Sequence, residues 1–216
     1  MAIDKKRTAP WVKAVIVLVA LAFAAGPAIA ALGLRTGGGS TAAGGDAYAR
    51  IAGQFAPQAD ANEARLASEA TSYTVLVDQG NLYFDWALEV QRDQQLASGG
   101  ADRPIWLAAT HYYERALAER PGDPAVGTDL AISYFYARRV ADAIQTVEKV
   151  VEEQPDFAAA RFNAGIFYRE VGRTADAVSA LQKYLELDPN GKSGDPQRAG
   201  QWLSELGASR PATGTR

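Results

Sequence analysis

The sequence predicts an all-α fold: a solenoid of helical hairpins that follows an apolar N-terminal helix. Three observations predict it. Pro121, Pro155 and Pro189 are equally spaced, and each closes a segment whose apolar residues recur at helical intervals. The three endings read alike, as YYERALAERPGD, TVEKVVEEQPD and ALQKYLELDPN. A hydrophobic share of 48 % over 216 residues is enough to bury a core. Self-similarity at a step of roughly 34 residues marks stacked helix–turn–helix units.

The chain opens with a basic stretch, residues 1–13, that carries Lys5, Lys6, Arg7 and Lys13. Residues 14–34 follow without a single charge. At about 1.5 Å per residue, such a helix reaches roughly the 30 Å of a bilayer core. Only Arg35 flanks its far end, so the positive-inside bias puts the N-terminus in the cytoplasm and the remainder across the membrane. Two fates fit this segment. Ala31-Leu32-Gly33-Leu34 extends it to the length of a transmembrane anchor. Gly26-Pro27 followed by Ala28-Ile29-Ala30 also fits a signal peptide cleaved after Ala30, which would give an exported soluble form. Either way the repeats lie on the extracytoplasmic side of a bacterial-type cytoplasmic membrane.

Residues 35–47, rich in Gly, Ser and Thr, read as a flexible linker. An N-terminal helix is expected over 48–72. An irregular first repeat spans 73–123. Its separation from Tyr83 to Ala109 is almost three times the matching separation from Tyr134 to Ala143, which predicts two longer helices meeting near Ser98–Pro104. The second repeat spans 124–157 and opens on Asp123-Pro124, an N-cap with proline in the first turn. The third spans 158–191. Residues 192–207 hold a capping helix with Ala199, Trp202, Leu203 and Leu206 at i, i+3, i+4 and i+7, and 208–216 form a flexible tail.

The third unit carries Asn163-Ala164-Gly165, Tyr168, Gly172, Ala177, Leu181, Tyr184-Leu185 and Pro189. With its period and these spacings it resembles the tetratricopeptide repeat. The second unit keeps Leu130-Ala131, Tyr134, Ala143 and Pro155, but has Arg138 where the turn glycine is expected. Two further departures are Arg161 in place of a large aromatic and Tyr184 in place of alanine. The resemblance covers about residues 73–207 and implies a scaffold of about three repeats that binds proteins and carries no cofactor.

Chemistry finds little purchase. No cysteine is present, and His111 is the sole histidine, so neither a thiolate site nor a two-histidine metal site can form within the chain. On its repeat helix His111 is expected to be a plain surface side chain. Gly191-Lys192-Ser193 lacks both the upstream glycine and the strand of a phosphate loop. Residues 1–35 carry a net +4 of a total of −3, leaving −7 on the rest, which argues against nucleic-acid binding. No catalytic residue is expected.

The resemblance does imply a concave binding face. Its expected residues are Val77, Asp78, Asn81, Phe84 and Asp85 in the first repeat, Asp129, Ile132, Phe135 and Tyr136 in the second, and Phe162, Asn163, Ile166 and Arg169 in the third. The places where clamping members carry lysine, asparagine and arginine hold Val77, Asn81, Asp129, Ala159 and Asn163. An apolar or basic helical segment therefore suits the face better than a C-terminal carboxylate. Two other roles stand beside the tethered scaffold. One is an assembly factor of the c-type cytochrome biogenesis kind. The other is a self-associating structural protein whose groove is filled by its own residues 46–72.

Overall fold

The computed structural model describes residues 41–209 and residue 211, with side chains from Gly45 onward. The expected basic start, the 14–34 span and the cleavage point after Ala30 lie outside the described residues. No helix among the described residues is long and apolar enough to cross a membrane. Nine α-helices and no strand are described: α1 Thr41–Ser68, α2 Tyr73–Arg92, α3 Gln94–Ser98, α4 Arg103–Glu119, α5 Pro124–Tyr136, α6 Val140–Glu153, α7 Ala158–Glu170, α8 Thr174–Leu187 and α9 Pro196–Glu205.

One expectation needs correction at the start. Helix α1 begins at Thr41, so residues 41–47, expected as linker, are helical, and the helix ends at Ser68 rather than 72. Ala42, Ala43, Ala47, Ala49 and Ala52 supply the propensity that carries it through Gly44-Gly45.

Hairpins α2–α4, α5–α6 and α7–α8 stack in chain order, with α5 touching both α2 and α7. Their packing repeats in register. Ala109, Ala143 and Ala177 are each fully buried where a pair of helices crosses, since a larger side chain would force the axes apart. Tyr113, Val147 and Leu181 recur at the same step as the prolines and are also fully buried. Each faces a small residue on the partner helix (Gly80, Ala131 or Gly165). A Cβ on Gly80 would come 2.5 Å from the Tyr113 ring, and one on Gly165 would come 2.6 Å from Leu181. The largest residue of the series thus meets a residue with no side chain.

A polar latch repeats at the same period. The Tyr134 hydroxyl donates to Glu114 Oε1, and the Tyr168 hydroxyl donates to Glu148 Oε1 at 3.1 Å. Arg139 lies 4.4 Å over the Tyr134 ring and Arg173 4.3 Å over the Tyr168 ring. These arginines also pair with Asp142 at 2.8 Å and Asp176 at 2.6 Å. Each latch ties the first helix of a repeat to the second helix of the one before. The series ends at Gln182 and Trp202, the next places in the register, where the capping helix takes over.

The turns explain the sequence departures. Gly172 closes α7 at φ 75°, and Arg138 holds the matching place after α5 at φ 67°. Arginine in that left-handed conformation carries a Cβ penalty that glycine does not. Tyr184 is fully buried, and its hydroxyl fits beneath Gly194, where a Cβ would come within 2.8 Å. Asp123 and Asp195 cap α5 and α9 by accepting from the second and third backbone amides after them.

Candidate functional site

The inner layer consists of α2, α5 and α7, and every expected binding residue lies on these three helices. Val77, Phe84, Ile132, Phe135 and Ile166 are half-buried against the main core, and Phe162 against the C-terminal one. Tyr136 is 39 % exposed and stacks on the fully buried Trp106 at 5.0 Å between centroids. Phe84 meets the same indole edge-on at 4.9 Å. Trp106 thus forms a rigid floor beneath Phe84 and Tyr136, and is itself out of a partner's reach.

Several expected residues are partly committed elsewhere. Phe135 stacks on Phe167 at 4.6 Å, and Phe162 packs on Tyr184 at 4.8 Å and Trp202 at 5.9 Å. Both rings hold helices together as well as lining the face. Asn163 donates to the Ala159 carbonyl at 2.9 Å, within its own helix. Arg169 reaches Glu205 at 3.0 Å and lies 5.2 Å over the Trp202 ring, so it serves the capping helix. Asn81 accepts from the Tyr113 hydroxyl at 2.8 Å, which leaves its Nδ2 for other partners.

The acidic side chains differ in setting. Asp78 and Asp85 are exposed and form no ion pair among the described residues. Asp129 is half-buried. Burial is the main reason its pKa is pushed up to about 6, and the charges of Asp123 and Asp85 add to it. The face is therefore electronegative where α2 meets α5, and apolar toward Ile132, Phe135 and Ile166.

Helix α1 contributes residues that periodicity did not flag. Gln79, fully buried on α2, donates to the Ala59 carbonyl at 3.2 Å, and Phe55 stacks on Trp86 at 5.8 Å. The Tyr112 hydroxyl donates to Glu63. These contacts seat α1 on α2 and α4 through Gln79, Trp86 and Tyr112, away from Val77 and Phe84. Between α1 and α2 a cleft of about 250 Å³ remains, lined by Gln58, Asn62, Arg65, Asp78, Asn81, Leu82 and Asp85. His111, expected at the surface, is half-buried beside Tyr112, and burial lowers its pKa. Among the described residues, no cluster of three or more His, Asp or Glu has the geometry of a metal site.

Hairpins stacked at a constant register, with small residues set against large ones at each crossing, are the architecture of a helical repeat array. Residues 128–192 match the tetratricopeptide repeat family. That stretch holds most of α5 and all of α6, α7 and α8, and members of this family are generally non-catalytic scaffolds. No curated protein matches the chain. Among solved structures, MamA AMB-1 is similar at 24 % identity and a TM-score of 0.49, over 75 % of this chain and 79 % of that one. MamA MSR-1 is similar at 23 % identity and a TM-score of 0.48, over 76 % and 84 %. YrrB, described as a TPR protein with an unusual peptide-binding site, is similar at 16 % identity and a TM-score of 0.37, over 64 % and 80 %.

Proposed function

We propose that the protein is a membrane-tethered scaffold whose inner face recruits an apolar or basic helical segment of another protein. One observation carries the reading: the exposed Tyr136 and its half-buried apolar neighbours lie on the same face as Asp78, Asp85 and Asp129. An amphipathic helix with apolar residues on one stripe and lysine or arginine beside it matches that surface in shape and in sign. A carboxylate-terminated peptide meets only repulsion at the acidic end. Residues 14–34 supply the tether in this reading, and the bias of Lys5, Lys6, Arg7 and Lys13 places the repeats outside.

The rival in which residues 46–72 fill the groove finds less support. Helix α1 covers Gln79, Trp86 and Tyr112 and leaves Tyr136 exposed. An assembly factor of the cytochrome kind is a special case of the scaffold reading, distinguished by who the partner is.

The test has two arms. Protease added to intact spheroplasts is expected to digest the repeats, and full protection would overturn the topology. Tyr136→Ser is expected to weaken binding of a crosslink-identified partner at least tenfold, about 1.4 kcal/mol, without loss of helix. Undiminished binding would remove the inner face from the function.

A further inference from the structure

The cleft between α1 and α2 has its own chemistry. The Gln79–Ala59 and Phe55–Trp86 contacts run in opposite chain directions, so the two helices are antiparallel. Gln58, Asn62 and Arg65 lie at i, i+4 and i+7 on one wall; Asp78, Asn81 and Asp85 lie at i, i+3 and i+7 on the other. Antiparallel pairing sets Arg65 at the Asp78 end and leaves Asp85, at the Gln58 end, with no cation across from it.

Asn62 keeps a relative exposure of only 2 %, and its Oδ1 accepts from Gln58 Nε2 at 3.0 Å. Its Nδ2 makes no hydrogen bond among the described residues and lines the cleft. A donor on so buried a side chain is costly to leave open. The opening therefore points to an acceptor arriving from outside. Asp85 and Asp129 repel one another, as the raised pKa of Asp129 records. A cation placed beside Asp85 relieves that repulsion.

We infer that this cleft seats one basic side chain, lysine or arginine, of the partner segment, with Asp85 taking the cation and Asn62 a backbone carbonyl beside it. The inference rests on the inner-face reading and gives that face its anchor point. Arg65 excludes a second cation from the Asp78 end and so fixes the direction in which the segment lies. A cleft of about 250 Å³ is several times the roughly 30 Å³ share of one water, enough for a long side chain that displaces ordered solvent. Helix α1 supplies half of this seat, which gives the N-terminal helix a role in recognition beyond covering the first repeat.

The experiment titrates the full chain with blocked single residues and follows the side-chain amide resonances of Asn62 and Asn81 by NMR. The probes are N-acetyl-arginine and N-acetyl-lysine N-methylamides, with N-acetyl-norleucine N-methylamide as the neutral counterpart. Saturable shifts are expected with the cationic probes, at least tenfold weaker with norleucine and in Asp85→Asn. Asp85 is exposed and without an ion pair among the described residues, so this variant keeps the fold. Equal shifts with norleucine, or undiminished binding in Asp85→Asn, would overturn the seat. Tyr136→Ser separates this result from the wider reading. If it weakens partner binding while Asp85→Asn leaves probe binding unchanged, the inner face stands and the seat falls. If Asp85→Asn abolishes probe binding while Tyr136→Ser leaves the partner bound, the seat stands and the inner face falls.

Discussion

Gly80→Ala is the sharpest probe of how the irregular first hairpin is built. Alanine in a helix interior gains about 1 kcal/mol over glycine, so on an open face the change would stabilise. Here the new Cβ would come 2.5 and 2.6 Å from two ring carbons of Tyr113, a fully buried side chain held by its hydroxyl on Asn81 at 2.8 Å. Overpacking against a rigid ring costs about 1–3 kcal/mol, and displacing the hydroxyl removes a bond worth about 1 kcal/mol. The net expectation is a loss of about 1–3 kcal/mol. Val147 stands at the register of Tyr113 and faces Ala131, so Tyr113→Val should make room for the methyl. In that background Gly80→Ala should stabilise by about 1 kcal/mol, a change of sign between the two backgrounds. Urea denaturation of chains beginning at Asp46, followed by far-ultraviolet circular dichroism, measures all four corners of the cycle. Independent sites add to within about 0.5 kcal/mol, so an effect of Gly80→Ala that agrees that closely in both backgrounds would refute the small-against-large crossing.

Two further outcomes follow from local features. Arg138→Gly relieves a left-handed arginine at φ 67°, and the gain, after the entropy of the new glycine, should be up to about 1 kcal/mol by the same urea assay. A loss above about 1 kcal/mol would show that the arginine side chain holds the turn. Asp129 has a folded pKa near 6 against an ordinary carboxylate value of 3.8, so the folded state binds more protons between those values. Stability from this group is therefore present at pH 4 and falls as pH rises to about 6. His111, with its pKa lowered by burial, pulls the other way, so the comparison is wild type against Asp129→Asn. The variant should lose the fall between pH 4 and 6 and gain roughly 1–2 kcal/mol at pH 7. An identical pH profile in the two proteins would mean that Asp129 is solvated like a surface carboxylate.

The fold was legible wherever a residue type is dictated by one crossing. Ala143 and Ala177 can be little else, because the helix axes meet there, and prolines at a fixed interval punctuate every second helix. Gly80 was legible only as part of a first helix, since the longer α2 and α4 break the count that would set it opposite Tyr113. Helix α1 reads as alanine and glycine with sparse apolar residues, and its docking runs through Asn62, Glu63 and Gln79, polar residues that carry no periodic signal. The cleft it forms with α2 was invisible for that reason. On the inner face, helical spacing put Phe135, Phe162 and Arg169 off the core stripe of their own helices. What sequence could not register is the next helix. Phe167, Trp202 and Glu205 approach from neighbouring elements and take up much of those side chains.

The central claim is that the inner face holds a helical segment of a partner. A photocrosslinking residue at position 136, in the full chain in native membranes, tests it most directly, with position 145 on the exposed outer side of α6 as the control. Position 136 is expected to yield one dominant adduct whose crosslinked peptide maps to an amphipathic segment with lysine or arginine beside its apolar stripe. Position 145 is expected to yield none. An adduct at 145 with nothing at 136, or a mapped segment that is acidic and ends in the partner's C-terminus, would contradict the account.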